Sequence, residues 1–121
     1  MPKVSSLGHV GLRTWDFPKM RDFYTRVLGF TVTDEVAERK MCFLSARPDE
    51  EHHELLLSGG RNADEDVQLI GQISFHVDGV GELREFHGLL LQEGVAIDRV
   101  VTHGNTASIY FHDLTFGAAV H

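Results

Sequence analysis

The sequence predicts an α+β fold of two tandem βαβββ units forming a curved mixed sheet around a central cavity, with a short or incomplete final strand. The units span about residues 1–60 and 67–121, together making one domain. Three observations predict this. Two segments carry apolar residues at helical spacing, each with an apolar strand-like run before it and several after it. An internal repeat relates the halves: Gly8-His9-Val10-Gly11-Leu12 matches Gly71-Gln72-Ile73-Ser74-Phe75, and Arg21-Asp22-Phe23-Tyr24 matches Arg84-Glu85-Phe86-His87, both at an offset of 63, while Gly29-Phe30-Thr31-Val32 matches Gly94-Val95-Ala96-Ile97 at 65. Finally, one such unit leaves its sheet half exposed, so two must pair to bury it.

Leu7–Thr14 is an apolar-rich run ending at a turn, read as the first strand. Asp16 is a good N-cap, and Pro18 sits where a first helical turn tolerates it. Met20, Phe23, Tyr24, Val27 and Leu28 follow on one helical face. Gly29 ends the helix, because the residue after a C-cap adopts a left-handed conformation that glycine reaches without strain. Phe30–Val36, Met41–Ala46 and His52–Ser58 read as three strands. Gly59–Asp66 is a polar linker. Gln68–Val77 resumes as a strand, and Val80, Leu83, Phe86, Leu90 and Leu91 mark a second helix stopped by Gly94. Val95–Val101 and Ala107–Phe111 are further strands, and the repeat predicts a last one near residues 117–121.

The formal charge of −7 argues against a nucleic-acid or anionic-membrane partner. No run of about 18 apolar residues exists, and MPKVSSLGHV lacks a secretory apolar core, so the expected compartment is the cytoplasm. The one cysteine, Cys42, rules out a disulfide framework and reads as a small buried hydrophobe. No phosphate-loop glycine pattern and no nucleophile elbow is present. Eight histidines stand against two tyrosines and one tryptophan. Histidine is the commonest metal ligand and titrates near neutrality, so their positions matter.

Tandem βαβββ units, a first strand LGHVGL, a helix with RDFYTRVLGF and a HHELLL strand together resemble the vicinal oxygen chelate superfamily. That group includes glyoxalase I, bleomycin-resistance proteins, fosfomycin-resistance enzymes and type I extradiol dioxygenases. The resemblance covers essentially the whole chain. HHELLL, VVTHGN and SIYFHD are most similar to the single-module extradiol dioxygenases, which open catechol-type rings with Fe(II) and O₂.

The resemblance implies metal ligands from the first strand of each unit and from the last strand of the second. The first position is His9. The second is Gln72, where the family has histidine; a neutral amide is a poor iron ligand beside imidazole. The third, a glutamate counted from Tyr110, falls on Val120, with His121 one residue late and hence on the opposite face. His76 lies too far along the strand from Gln72 to replace it and reads as an exposed histidine before a turn. His53 matches the family's catalytic histidine, placed to shuttle a proton and to hydrogen-bond an oxygen intermediate. His103 and Tyr110 match residues that touch the bound substrate. Glu54 neighbours His53 and is expected on the other face.

The function expected from the resemblance is that of an extradiol dioxygenase-like protein acting on a catechol-type diol with Fe(II), Mn(II) being the other metal it admits. Gln72 and the tail after Asp113 depart from the metal triad. They favour an alternative, a metal-free small-molecule binding protein of the bleomycin-resistance type; a glyoxalase-like metal-dependent lyase is a second. The expected partners are a small aromatic ligand and a second copy of the chain in a homodimer.

Overall fold

A computed structural model describes residues 2–62, 72–103, 106–112 and 117–120, with the backbone alone at 103, 106 and 117–120. Contacts divide the chain into two compact units, Met1–Asn62 and Ala63–His121.

In the first unit, strand β1 (Val10–Arg13) leads to helix α1 (Phe17–Asp22), which runs on into a π-helical turn at Phe23–Val27. Strands β2 (Thr31–Val36), β3 (Met41–Ser45) and β4 (Leu55–Ser58) follow. Asp16 caps α1 by accepting from the Lys19 N–H. The π turn has a local cause: the Thr25 hydroxyl donates to the Arg21 carbonyl at 2.7 Å, and the Leu28 N–H reaches back to the Phe23 carbonyl at 3.0 Å. A Ser or Thr hydroxyl bonded back to the preceding turn competes with the helical ladder. Gly29, at φ 82°, then closes the helix. Arg21 pairs with Glu35 through two hydrogen bonds of 2.7 and 3.0 Å, tying helix to β2.

The sheet order is β1-β4-β3-β2, with β1 parallel to β4 and the other pairs antiparallel. Alternation gives it two unlike faces. Leu12, Leu55, Leu57, Cys42 and Leu44 are buried with Met20, Tyr24 and Val27 of the helical segment. Gly11, Leu56 and Phe43 lie in line on the other face, which is only partly covered. Burial pushes the Cys42 thiol up to about 11, so it behaves as the small hydrophobe expected from sequence.

The second unit repeats this plan. Strand β5 (Ile73–Phe75) precedes helix α2 (Val80–Gln92), and β6 (Ile97–His103), β7 (Thr106–His112) and β8 (Gly117–Val120) complete a sheet of order β5-β8-β7-β6. The parallel pair keeps the same offset: Val10 faces Leu55 in the first sheet, and Ile73 faces Ala118 in the second. A bulge between Val32 and Asp34 recurs between Ile97 and Arg99, matching the offset of 65. Ile109 and Phe111 of β7 are buried, and α2 packs against that strand through its buried Leu83 and Leu90.

Several sequence boundaries shift. Strand β1 begins at Val10 rather than Leu7, whose side chain is 79% exposed. Strand β4 begins at Leu55 rather than His52, the backbone bending at His52 and Glu54. Strand β6 begins at Ile97 because the Val95 N–H is bonded to the Leu90 carbonyl and that of Gly94 to Leu91, a Schellman closure of α2. The face of α2 also differs from expectation: Val80 and Leu91 are each 58% exposed. Residues 68–71 of the predicted fifth strand lie outside the described residues. Among the described residues no helix is long and apolar enough to cross a membrane.

Candidate functional site

The first unit gathers an aromatic and imidazole cluster at one end of its sheet. Because β1 and β4 are parallel, the residues just before them share that end, and the Val10 N–H bonds to the Glu54 carbonyl at 3.1 Å. His9, immediately before β1, is exposed, with its ring centroid 4.3 Å from that of His53. Phe43 stands edge-on to His53 at 5.0 Å and lies 6.1 Å from His52. His52 and His53 meet through their Nδ1 atoms at 2.9 Å.

The bends at His52 and Glu54 ahead of β4 make this possible. On a strand through residue 52, adjacent histidines would point to opposite faces. Ahead of β4 they are free of that alternation, and the rings meet. Glu54 ties the segment to the end of β3: its N–H donates to the Leu44 carbonyl at 2.8 Å, and its carboxylate accepts from the Ala46 N–H at 2.9 Å and pairs with Arg47 at 3.4 Å. It is thereby engaged away from the imidazoles.

The electrostatics suit a neutral base. Loss of solvent holds the His53 pKa below its ordinary value, and His9 and His52 act in the same direction; Glu51 opposes them. A neutral imidazole offers one accepting nitrogen and one N–H.

In the second unit, Gln72 is exposed just before β5, and its amide N–H donates to Ser74 Oγ at 2.7 Å. Gln72, Ser74 and the exposed His76 share one alternation, opposite to Ile73 and Phe75. Tyr110 is half-buried on β7, and the Arg99 guanidinium of the neighbouring strand lies 4.3 Å over its ring. His103 ends β6 and pairs along the backbone with Thr106. The last-strand position needs correction. Counting from Tyr110 puts a family glutamate on Val120, but Val120 is in register with Phe75 and Ile109, whose side chains alternate away from Ser74 and Tyr110; Ala119 is the residue in line with those two. His121 lies outside the described residues.

The structure therefore brings His9 and His53 together within the first unit. It sets Gln72 just before β5 and Tyr110 on β7 of the second. Sequence reasoning missed His52 and Phe43 as members of the first cluster and Arg99 as the partner of Tyr110. The adjacent His52-His53 pair was the visible signal. The sheet pairing adds another: Phe43 faces Leu56 as Tyr110 faces Ala119, so the two aromatics hold equivalent places in the two sheets. Among the described residues no group of three His, Cys, Asp or Glu side chains is arranged to hold a metal ion.

A family model for the Glyoxalase/Bleomycin resistance protein/Dioxygenase superfamily matches residues 6–120. Biphenyl-2,3-diol 1,2-dioxygenase 2 of Rhodococcus globerulus is 31% identical over 117 residues, and biphenyl-2,3-diol 1,2-dioxygenase 3 of the same organism is 33% identical over 118. Each alignment covers 93% of this chain, which spans 60% of the length of each relative. Among solved structures, fosfomycin resistance protein FosX from Listeria monocytogenes, solved with Mn(II) and 1S,2S-dihydroxypropylphosphonic acid, superposes with a TM-score of 0.79 at 18% identity, covering 98% of this chain and 90% of that one. At that identity the likeness is one of fold. With the matched topology of both units and a family model spanning nearly every residue, the chain belongs to the glyoxalase/bleomycin resistance protein/dioxygenase superfamily.

Proposed function

We propose that this chain is a dioxygenase-like protein that recognises a catechol-type aromatic diol, with His53 as the group that takes a proton from one diol hydroxyl. The observation that carries the reading is the packing of His53 between His9 and Phe43, at 4.3 and 5.0 Å, at the end of a half-open sheet face. An aromatic ligand finds an aromatic edge there, and a phenolic O–H finds a neutral imidazole nitrogen. The two curated relatives, both named for biphenyl-2,3-diol, support the ligand class. For Tyr110 and His103 the resemblance alone supports a role in touching the substrate.

The metal chemistry of such enzymes does not fit the donors present. A ring-cleaving iron site needs about three strong ligands, two imidazoles and a carboxylate on one face. Here His9 is one imidazole, Gln72 offers a neutral amide already donating to Ser74, and Val120 supplies no donor atom. That committed amide favours a second reading, metal-free binding of the diol, which needs only an apolar concavity with a few polar contacts.

Calorimetric titration with biphenyl-2,3-diol, beside the 2-hydroxy analogue, tests the proposal. The diol should bind at least about tenfold more tightly, the worth of one additional good hydrogen bond. His53→Ala should abolish that preference. Equal affinity for the two compounds would refute it. Oxygen uptake with added Fe(II) or Mn(II) then separates the readings: uptake that depends on the diol identifies an enzyme, and its absence with the diol bound identifies a binding protein.

A further inference from the structure

The Nδ1–Nδ1 contact between His52 and His53, at 2.9 Å, admits one hydrogen between two ring nitrogens. With both rings neutral, one donates and the other accepts, and the choice fixes both tautomers. Burial decides between the two arrangements. His53 is half-buried between His9 and Phe43, whereas His52 is exposed. An N–H shut away from water without a partner is costlier than an accepting nitrogen in the same place. The half-buried ring therefore keeps its single N–H where a partner stands, and the exposed ring turns its own N–H to water.

We propose that His52 is a positioning residue that accepts the Nδ1–H of His53 and so holds His53 in the tautomer whose Nε2 is bare and basic. This deepens the reading of His53 as the proton acceptor from the diol and rests on it for its use, though the hydrogen bond itself does not. A free histidine side chain favours the opposite tautomer, with its hydrogen on Nε2. Without His52, His53 would present an N–H at the nitrogen that must accept.

The test reads ring nitrogens directly. The full chain, labelled with ¹⁵N-histidine and free of metal, is measured at pH 8 by long-range proton–nitrogen correlation. In the parent protein, His53 Nδ1 should have a pyrrole-like shift and Nε2 a pyridine-like one. His52→Phe retains a ring against Phe43 but removes the acceptor, and it should reverse the two shifts. His52→Asn, whose side-chain carbonyl stands near the place of Nδ1, should restore the parent pattern. Diol affinity should fall in His52→Phe by about tenfold, the scale of one hydrogen bond, and recover in His52→Asn. A parent protein with the hydrogen on Nε2 of His53, or a pattern unmoved in His52→Phe, overturns the proposal. The predicted shifts in a protein that binds no diol would uphold the pairing while refuting the function built on it.

Discussion

Replacing Phe23 by alanine should cost about 3–5 kcal/mol, and the matching change at Phe86 only about 1–2 kcal/mol. The repeat sequence makes the two phenylalanines equivalent, but their surroundings differ. Phe23 is buried, with its ring edge-on to Tyr24 at 5.7 Å. Removing it loses the full transfer energy of a buried ring, about 1.5–3 kcal/mol, and opens a cavity whose lining loses contacts. Phe86 is half-buried, on a helix whose buried side chains are Leu83 and Leu90. Only part of its ring area is withdrawn from water, and a void there opens to solvent rather than staying empty. The expected gap of roughly 2 kcal/mol corresponds to a separation of about 1 M in urea midpoint at a typical slope of 1–3 kcal/mol per M. Urea unfolding followed by circular dichroism and fluorescence measures it, with an unchanged slope confirming that both variants unfold from the same compact state. Equal losses at the two positions would refute the argument and place Phe86 in a core as closed as that around Phe23.

Cys42 should resist alkylation in the folded protein and react once unfolded, since burial holds its thiol near 11, up from 9.0. The folded state then keeps a proton that the unfolded chain releases, so stability is undiminished below about pH 9 and falls by up to about 2–3 kcal/mol on the way to pH 11; denaturant midpoints that stay flat across that range would contradict this. Gly29→Ala should cost about 1 kcal/mol, because φ is 82° there and a Cβ meets no atom within 4 Å, leaving backbone strain as the sole penalty. Gln72→His should raise Mn(II) affinity at least about tenfold, the scale of one added ligand; calorimetry that shows no gain would exclude position 72 as a ligand position.

Much of the fold is legible because its signals are local. Asp16, Pro18 and Gly29 punctuate the first helix through capping and backbone chemistry, and Met20, Phe23, Tyr24, Val27 and Leu28 define its buried side by spacing. What escapes is set by tertiary pairing. Nothing in His52–Ser58 announces that the backbone bends at His52 and Glu54 or that the Glu54 carboxylate will reach the Ala46 N–H. Nor does the spacing of Val80 and Leu91 reveal that both stay exposed while Leu83 and Leu90 are the buried side chains of α2. The site suffers most, because ligand positions depend on register. A count from Tyr110 reaches Val120, while the sheet aligns Ala119 with Tyr110 across the β7–β8 pair.

The shared register also shows where the two units have parted chemically. Strand pairing makes Gly11 equivalent to Ser74, Leu56 to Ala119, Phe43 to Tyr110 and Asp34 to Arg99. At the offset of 63 that relates the parallel pairs, His9 corresponds to Gln72, His53 to Phe116 and Glu54 to Gly117 in sequence. Each titratable group at the head of the first sheet thus has a neutral counterpart in the second. In the second sheet Ser74 shares its alternation with Gln72 and His76, and Tyr110, with Arg99 over its ring, shares its own with His112. The proposed role of His53 in proton acceptance therefore rests on its packing with His9, His52 and Phe43 in the first unit. The two units share the strand order, the bulge and a helix packed on the sheet, while the residues on their open faces differ.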